Sequence, residues 1–380
     1  MADARLRLCV VSEDLSMPLD EGLKKLVVSL LPSLTEGAEV YALSVRAKGA
    51  VPEPVRPMFV NRLFLSAKLW RAVRQFQPDV LLYVPEAAAT RNSFLRLTAL
   101  RCYAPRARSI MITLQPRSYS RLDRWLVRAL RPSLILAQSR ETRDTVAALG
   151  CPSALLPSGV DLSTFRPATG AEKLALREKH GMSPEAFVVV HVGHLEENRN
   201  VFLLNRLRSE LDCETVLIAS TWREHRRSVI DAFRAGLLQG GTHVIDHYLE
   251  HVAEAYQMAD CYLFPTHTPG SAIAMPLSVL EALACGVPVV TTPFGQLPLW
   301  FHDGPGYTFG ANDDELVAGV ARLQQTEARP SSAQIRALAE PFTWNSIGRT
   351  VLELAGSLGR AEPWEFEPTW IEKDSNACVS

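Results

Sequence analysis

Between His267 and Gly295 only one side chain, Glu281, is expected to carry charge at pH 7. It lies five residues beyond Pro276, inside "AMPLSVLEALACGVPVVTTPFG" at residues 274–295. Pro276 suits the first position of a helix and Gly286 the position just past its end, which leaves "LSVLEALA" as the helix between them. The preceding "PTHTPGSAIA" consists of small residues whose backbone N–H groups can approach a ligand closely. A helix N-terminus behind such a loop attracts anions, because its first N–H groups have no partner within the helix and the dipole is positive there. A carboxylate just beyond can accept hydrogen bonds from a sugar diol while the helix end holds a phosphate. The competing reading is a plain strand–helix–strand crossover with a structural glutamate.

The elements that must position this segment are legible from hydrophobic patterning. Apolar runs of strand length are "RLCVVS", "VYALSV", "VLLYV", "SIMITL", "LILAQS", "SALLP", "FVVVHVG", "TVLIAS", "CYLFP" and "VPVVTT". Each is apolar on both faces, as parallel strands covered by helices must be. Amphipathic stretches such as "EGLKKLVVSLLPSL", "RLFLSAKLWRAVRQF", "RETRDTVAALG" and "HVAEAYQMAD" alternate with them. Strand and helix in alternation predict a doubly wound α/β protein. The series is interrupted at 165–186 by a polar stretch punctuated by Pro167, Gly170, Gly181 and Pro184. That stretch reads as a joint between two domains, followed by a helix. Two such domains facing a central cleft would bind ligands at the carboxyl ends of their strands.

Length and composition agree. The 380 residues exceed what one hydrophobic core usually serves. A formal net charge of −1 provides no overall field for gathering nucleic acid. Seven scattered cysteines with no C-x-x-C pair fit a reduced, cytoplasmic setting better than a disulfide or zinc framework. No segment reads as a signal peptide or a membrane span. The tail ending "EKDSNACVS" is polar and expected to be partly disordered.

"MPLSVLEALACGVPVVTTPFG" resembles the most recognisable segment of the retaining glycosyltransferases of the large family 4 (group 1) type, which have the GT-B fold. "LLPSGVDLSTFRP", "VVHVGHLEENRN", "EAYQMADCYLFP" and "PFTWNSIGRTVLELAGSL" resemble further segments of that family in the right order. The resemblance runs from about residue 8 to 357. It implies an acceptor-binding Rossmann-like domain at 1–164, the linker and helix at 165–186, and a donor-binding domain at 187–340. A terminal helix at 341–360, near the domain junction, and a tail at 361–380 complete the expected division.

The resemblance further implies a nucleotide-diphosphate sugar donor and a carbohydrate, lipid-linked or small-molecule acceptor. No cofactor is expected, nor a required metal, and nucleic acid is not an expected partner. Glu281 falls on the motif glutamate that binds the nucleotide ribose, and Arg199 on the lysine that pairs with the donor diphosphate. Ile273, Ala274, Met275, Pro276 and Leu277 fall on the loop that meets the sugar and distal phosphate. Gly193 and Gly22 fall on glycines beside the phosphates. Gln115, His194 and Arg199 are the candidate catalytic residues, and Glu86 and Arg117 the candidate acceptor contacts.

Three departures from the family pattern stand out. Ile273 replaces the first motif glutamate, His194 replaces an arginine, and Gln115 replaces the histidine that often faces the sugar. A catalytically degenerate partner protein and a nucleotide-sugar epimerase are therefore the alternatives. A pyridoxal-dependent phosphorylase is not, because the only lysine after Lys179 is Lys373.

Two local patterns invite other chemistry. Residues 91–131 hold ten arginines against one acid, Asp123, and residues 56–74 hold five basic residues and no acid. Such a face can be solvated, or it can receive an anionic acceptor or rest peripherally on an anionic membrane. His243, His247 and His251 recur at helical spacing, but strand or loop is expected there, which disfavours a metal site. Trp222 and Arg223 are expected to border the nucleotide base.

Overall fold

The computed structural model describes residues 5–19, 21–86, 88–220, 227–247, 249–325 and 330–358. The chain divides into two compact units, 1–157 with 344–380 and 158–343. The first carries strands β1 (Leu6–Ser12), β2 (Ala38–Ser44), β3 (Arg56–Pro57), β4 (Val80–Val84), β5 (Arg108–Thr113), β6 (Leu134–Ala137) and β7 (Ser153–Leu155). Their order across the sheet is β3-β2-β1-β4-β5-β6-β7. The second carries β8 (Phe187–His194), β9 (Cys213–Ser220), β10 (His243–Ile245), β11 (Cys261–Phe264), β12 (Val289–Thr291) and β13 (Tyr307–Phe309), ordered β10-β9-β8-β11-β12-β13. Every pairing between named strands is parallel.

Both sheets are doubly wound, and their burial explains the continuous apolar runs. Along β8, Val188 and Val190 join one core with Leu280 and Leu283, while Phe187 and Val189 join another with Leu204 and Leu207. The two-residue period of a strand sends alternate side chains to opposite faces, and helices cover both. In the first unit Phe64, Leu69, Phe94, Leu97 and Val127 pack one helical layer against Cys9, Leu81, Met111 and Ile135. The strand order reverses between β1 and β4 in one unit and between β8 and β11 in the other. Crevices for ligands open at such reversals, at the carboxyl ends of the strands.

The observed division falls at 157/158 rather than at 164. Ser158 Oγ donates to the Met275 carbonyl at 2.7 Å, and Arg336 donates to the carbonyls of Leu162 and Phe165 at 2.8 Å each, so residues 158–165 are tied to the second unit. The stretch expected as a linker is likewise part of that unit. Its helix, Gly170–Lys179, is capped by Thr169 and Glu172 and held by Lys173 and Arg177, which both donate to Asp260. At 343/344 the chain returns to the first unit. The helix Trp344–Ser357 lies against Gly22–Gly37, and a Cβ on Gly348 would collide with Ser33, so the close approach needs a glycine there. The tail at 361–380, with Trp222 and Arg223, lies outside the described residues.

Candidate active site

In the second unit the reversal between β8 and β11 gathers most of the residues singled out from the sequence. β8 ends in Gly193 and His194, both half-buried. A 3-10 turn, Glu197–Arg199, follows, and Asn200 with φ 54° directs the chain into the helix Leu203–Glu210. Asn200 Nδ2 donates to Asp313 Oδ1 at 2.8 Å, which fixes the turn. Arg199 is only 7% exposed, its Nε has no hydrogen-bond partner, and among the described residues no carboxylate forms an ion pair with it. Burial pulls its pKa below the ordinary arginine value, while Tyr262 and Glu196 act in the opposite direction. A guanidinium buried without a counter-ion is unfavourable unless an anion joins it.

Two further buried polar atoms without partners lie at the same reversal. His191, on β8, is fully buried, stacks near Tyr262 and Phe264, and bonds through Nδ1 to the Leu263 carbonyl at 2.8 Å. Its Nε2 is unpartnered and lies under Gly193, where an added Cβ would meet it at 2.8 Å. Desolvation, with the nearby Arg199 charge acting in the same sense, lowers the His191 pKa to about 4, so the ring is neutral at pH 7. Nδ1 then carries the proton and Nε2 is an acceptor. Thr266, just beyond β11, is fully buried with its Oγ1 likewise unpartnered.

The loop from β11 into the helix Leu277–Ala284 is held by backbone contacts. Gln296 N donates to the Ala274 carbonyl at 2.9 Å. Gly295, with φ 57°, passes so close that any Cβ would collide with that carbonyl. Ala274, Met275, Pro276 and Leu277 are buried and Ile273 is half-buried. Pro276 is the N-cap rather than the first helical residue, and no side chain caps this end. Gly286, with φ 70°, ends the helix in a Schellman motif: its N–H reaches Leu283 O at 2.9 Å and that of Val287 reaches Ala282 O at 3.0 Å.

Glu281 sits in the second helical turn, buried, and accepts a hydrogen bond from Tyr256 Oη at 2.6 Å. It therefore has a structural partner, which the sequence did not foretell.

The first unit holds a second polar assembly at the reversal between β1 and β4. Glu13, the residue after β1, is buried and accepts hydrogen bonds from Arg96 Nη1 and from Tyr83 Oη, the latter at 2.8 Å; Arg46 approaches at 3.4 Å. Glu86, exposed beyond β4, has its pKa raised by desolvation and by the Glu13 carboxylate. Burial raises Asp14, but hydrogen bonds from Ser16 and the Lys24 and Lys48 charges outweigh that and leave its carboxyl below the usual range. Gln115 is half-buried just past β5, and Arg117 is exposed. Gly22 opens the helix Gly22–Gly37 rather than lying in the loop before it.

Sequence reasoning missed Glu13 and His191. The available signals were two acids, "ED", directly after an apolar strand at a reversal of strand order, and a histidine inside an otherwise apolar strand. His243 lies on β10, and among the described residues no group of three or more His, Cys, Asp or Glu side chains is placed to hold a metal ion.

Two doubly wound domains, each with a polar crevice at its strand reversal, define a class of two-Rossmann-domain proteins, and sequence comparison narrows the class. Residues 21–164 match the family described as Glycosyltransferase Family 4, and residues 186–326 match Glycosyl transferases group 1. The chain belongs to this family of group 1, family 4 glycosyltransferases.

A D-inositol 3-phosphate glycosyltransferase of Mycolicibacterium gilvum is 28% identical over 208 residues, covering 53% of this chain and 45% of the relative. That of Kineococcus radiotolerans is 28% identical over 250 residues, covering 57% and 54%. The chain thus spans about half the length of the curated relatives it matches. Among solved structures, Anabaena HepE in complex with UDP has the same fold, with a TM-score of 0.73 at 14% identity over 93% of this chain and 100% of that one. Sucrose-phosphate synthase from Thermosynechococcus elongatus gives 0.72 at 15% identity over 94% and 100%.

Proposed function

We propose that the protein transfers a sugar from a nucleoside diphosphate donor to an acceptor, with retention of anomeric configuration. The donor belongs to the second unit. Arg199 meets its diphosphate, together with the Gly193–His194 backbone and the N–H groups of residues 273–275 and 277, and Glu281 meets the ribose. The observation that carries this reading is the buried Arg199 at the β8/β11 reversal, whose Nε has no hydrogen-bond partner and which forms no ion pair among the described residues. The relatives named D-inositol 3-phosphate glycosyltransferase and the neighbour crystallised with UDP support it.

In the proposed chemistry the bond between the sugar's anomeric carbon and the phosphate oxygen breaks, and an acceptor oxygen bonds to that carbon on the same face. The acceptor proton passes to the departing phosphate. No protein carboxylate is needed as nucleophile; the protein stabilises the negative charge growing on the leaving diphosphate, which is what Arg199 supplies. Ile273 then bears on sugar selectivity rather than on the bond-breaking step. The acceptor belongs to the first unit, where Glu86, Arg117 and Gln115 are its proposed contacts and Glu13 braces the crevice. No resident cofactor enters this scheme.

The test is thermal unfolding with UDP, GDP, ADP, dTDP and CDP. One nucleotide at ~100 times its Kd should add about 2.7 kcal/mol, or roughly 5–10 °C for domains of this size. The absence of any shift across the panel would remove the donor site.

A further inference from the structure

The helix Arg121–Ala129 leaves two large apolar side chains outside the core. Only Val127 is buried, whereas Leu122 is 60% and Trp125 68% exposed. Those two are three residues apart and so share a face, and Arg121, Arg124 and Arg128 flank them at helical spacing. The single acid, Asp123, is occupied in a capping box with Ser120. Its carboxyl is held below the usual range first by the Ser120 hydroxyl, and the Arg91 and Arg117 charges act in the same direction.

The first unit carries a second exposed apolar group, on the chain leading into the helix Ala67–Phe76 and on that helix. Phe59 is 85% exposed, Leu65 is exposed, and Trp70 stacks with the Arg74 guanidinium at 5.3 Å.

We propose that this face of the first unit seats on an anionic lipid surface, with the arginines against the headgroup phosphates and Leu122 and Trp125 entering the boundary beneath them. Three features favour a membrane as the occupant. Leu122 and Trp125 are both exposed on one face of a short helix. A tryptophan beside arginines suits the headgroup boundary, where one part of the side chain is wet and the other apolar. Five exposed arginines, Arg91, Arg117, Arg121, Arg124 and Arg128, against the single capped acid Asp123, match a surface densely packed with anions. The proposal stands apart from the transferase reading and is tested without donor.

The experiment is co-sedimentation of the full chain with phosphatidylcholine vesicles, with and without phosphatidylglycerol, at low and physiological salt. Binding should require phosphatidylglycerol and weaken as salt shortens the Debye length. Each arginine near such a surface is worth about fivefold in partition, so Arg121→Ser, Arg124→Ser and Arg128→Ser together should lower binding roughly a hundredfold. Leu122→Ser with Trp125→Ser should lower it at least tenfold. All five positions are exposed, so unchanged melting temperatures should show that the variants are folded. Absence of binding, binding equal on neutral vesicles, or variants that bind like the parent would each overturn the proposal. So would a lipid-free dimer abolished by Trp125→Ser, which would assign the face to a second copy of the chain.

Discussion

Replacing Arg199 by alanine separates a binding role from a structural one, because the two roles change stability in opposite ways. The guanidinium is 7% exposed and has no ionic partner among the described residues. A structural arginine would leave a buried acid unpaired on removal and cost about 3–5 kcal/mol. Among the described residues no acid is ion-paired with Arg199, and its removal relieves a desolvated charge, so the ligand-free variant should melt within a degree or two of the parent or slightly above it. Nucleotide binding should collapse. Charged hydrogen bonds are worth about 1.5–3 kcal/mol each. Losing about 3 kcal/mol raises the Kd of the responsive nucleoside diphosphate roughly 150-fold. At the concentration that gave the parent about 2.7 kcal/mol, the variant should gain less than about 0.5 kcal/mol, an unfolding shift near 1 °C. Turnover should fall about 10²–10³-fold, because in the proposed chemistry the same charge acts on the leaving group. Calorimetric titration and thermal unfolding read both quantities. An unchanged Kd, or an apo variant destabilised by several kcal/mol, would refute the argument.

Further expectations follow from the same geometry. His191 is neutral when folded, with a pKa of about 4 against an ordinary 6.5. The unfolded chain therefore binds the extra proton first, and stability should fall by about 3 kcal/mol as pH drops from 6.5 to 4. In His191→Phe, denaturant titrations across that window should show a flatter slope; an identical slope would contradict the assignment. Gly295→Ala should destabilise the protein by several kcal/mol and abolish nucleotide binding, because its Cβ collides with the Ala274 carbonyl; a melting temperature and Kd like the parent's would show that the loop yields. Glu281→Ala leaves the buried Tyr256 hydroxyl unpartnered and should cost about 1–3 kcal/mol besides weakening binding. Glu281→Gln keeps an acceptor for that hydroxyl and is the cleaner probe, with a raised Kd at near-parental stability as the expected result. Glu13→Gln removes the counter-charge of the buried Arg96 and should cost about 3–5 kcal/mol in chemical unfolding.

The ten strands read from the sequence are those observed, because parallel strands covered on both faces must be apolar throughout, and "FVVVHVG" or "VLLYV" cannot be much else. Not read among the apolar runs were β3, with two residues, and β10 and β13, with three each; β10 falls where strand or loop was expected. Gly286 was legible because a left-handed residue after a helix favours glycine. Gly295 and Gly348 carried no such sign, since the neighbours they approach, Ala274 and Ser33, are set by tertiary packing. The division at 157/158 was hidden for the same reason, as it depends on Ser158 finding the Met275 carbonyl far along the chain.

Among the candidate site residues, the segment 273–281 and Arg199 were marked by residue type and by resemblance. The histidine inside β8 and the acid after β1 became meaningful only once the strand order showed where each sheet reverses. The Glu281–Tyr256 bond was out of reach because the tyrosine's hydroxyl gives no sequence cue about its partner.

The central claim is sugar transfer with retention, and product analysis tests it most directly. The protein is incubated with the sugar diphosphates of the base that stabilises it and a panel of polyol, glycan and lipid-linked acceptors, and the anomeric proton of any product is read by NMR. The account predicts equimolar release of nucleoside diphosphate and product, with the α donor giving an α linkage and Arg199→Ala losing both. A β product from an α donor would contradict retention. Donors left intact with every acceptor would contradict the assignment of transferase activity.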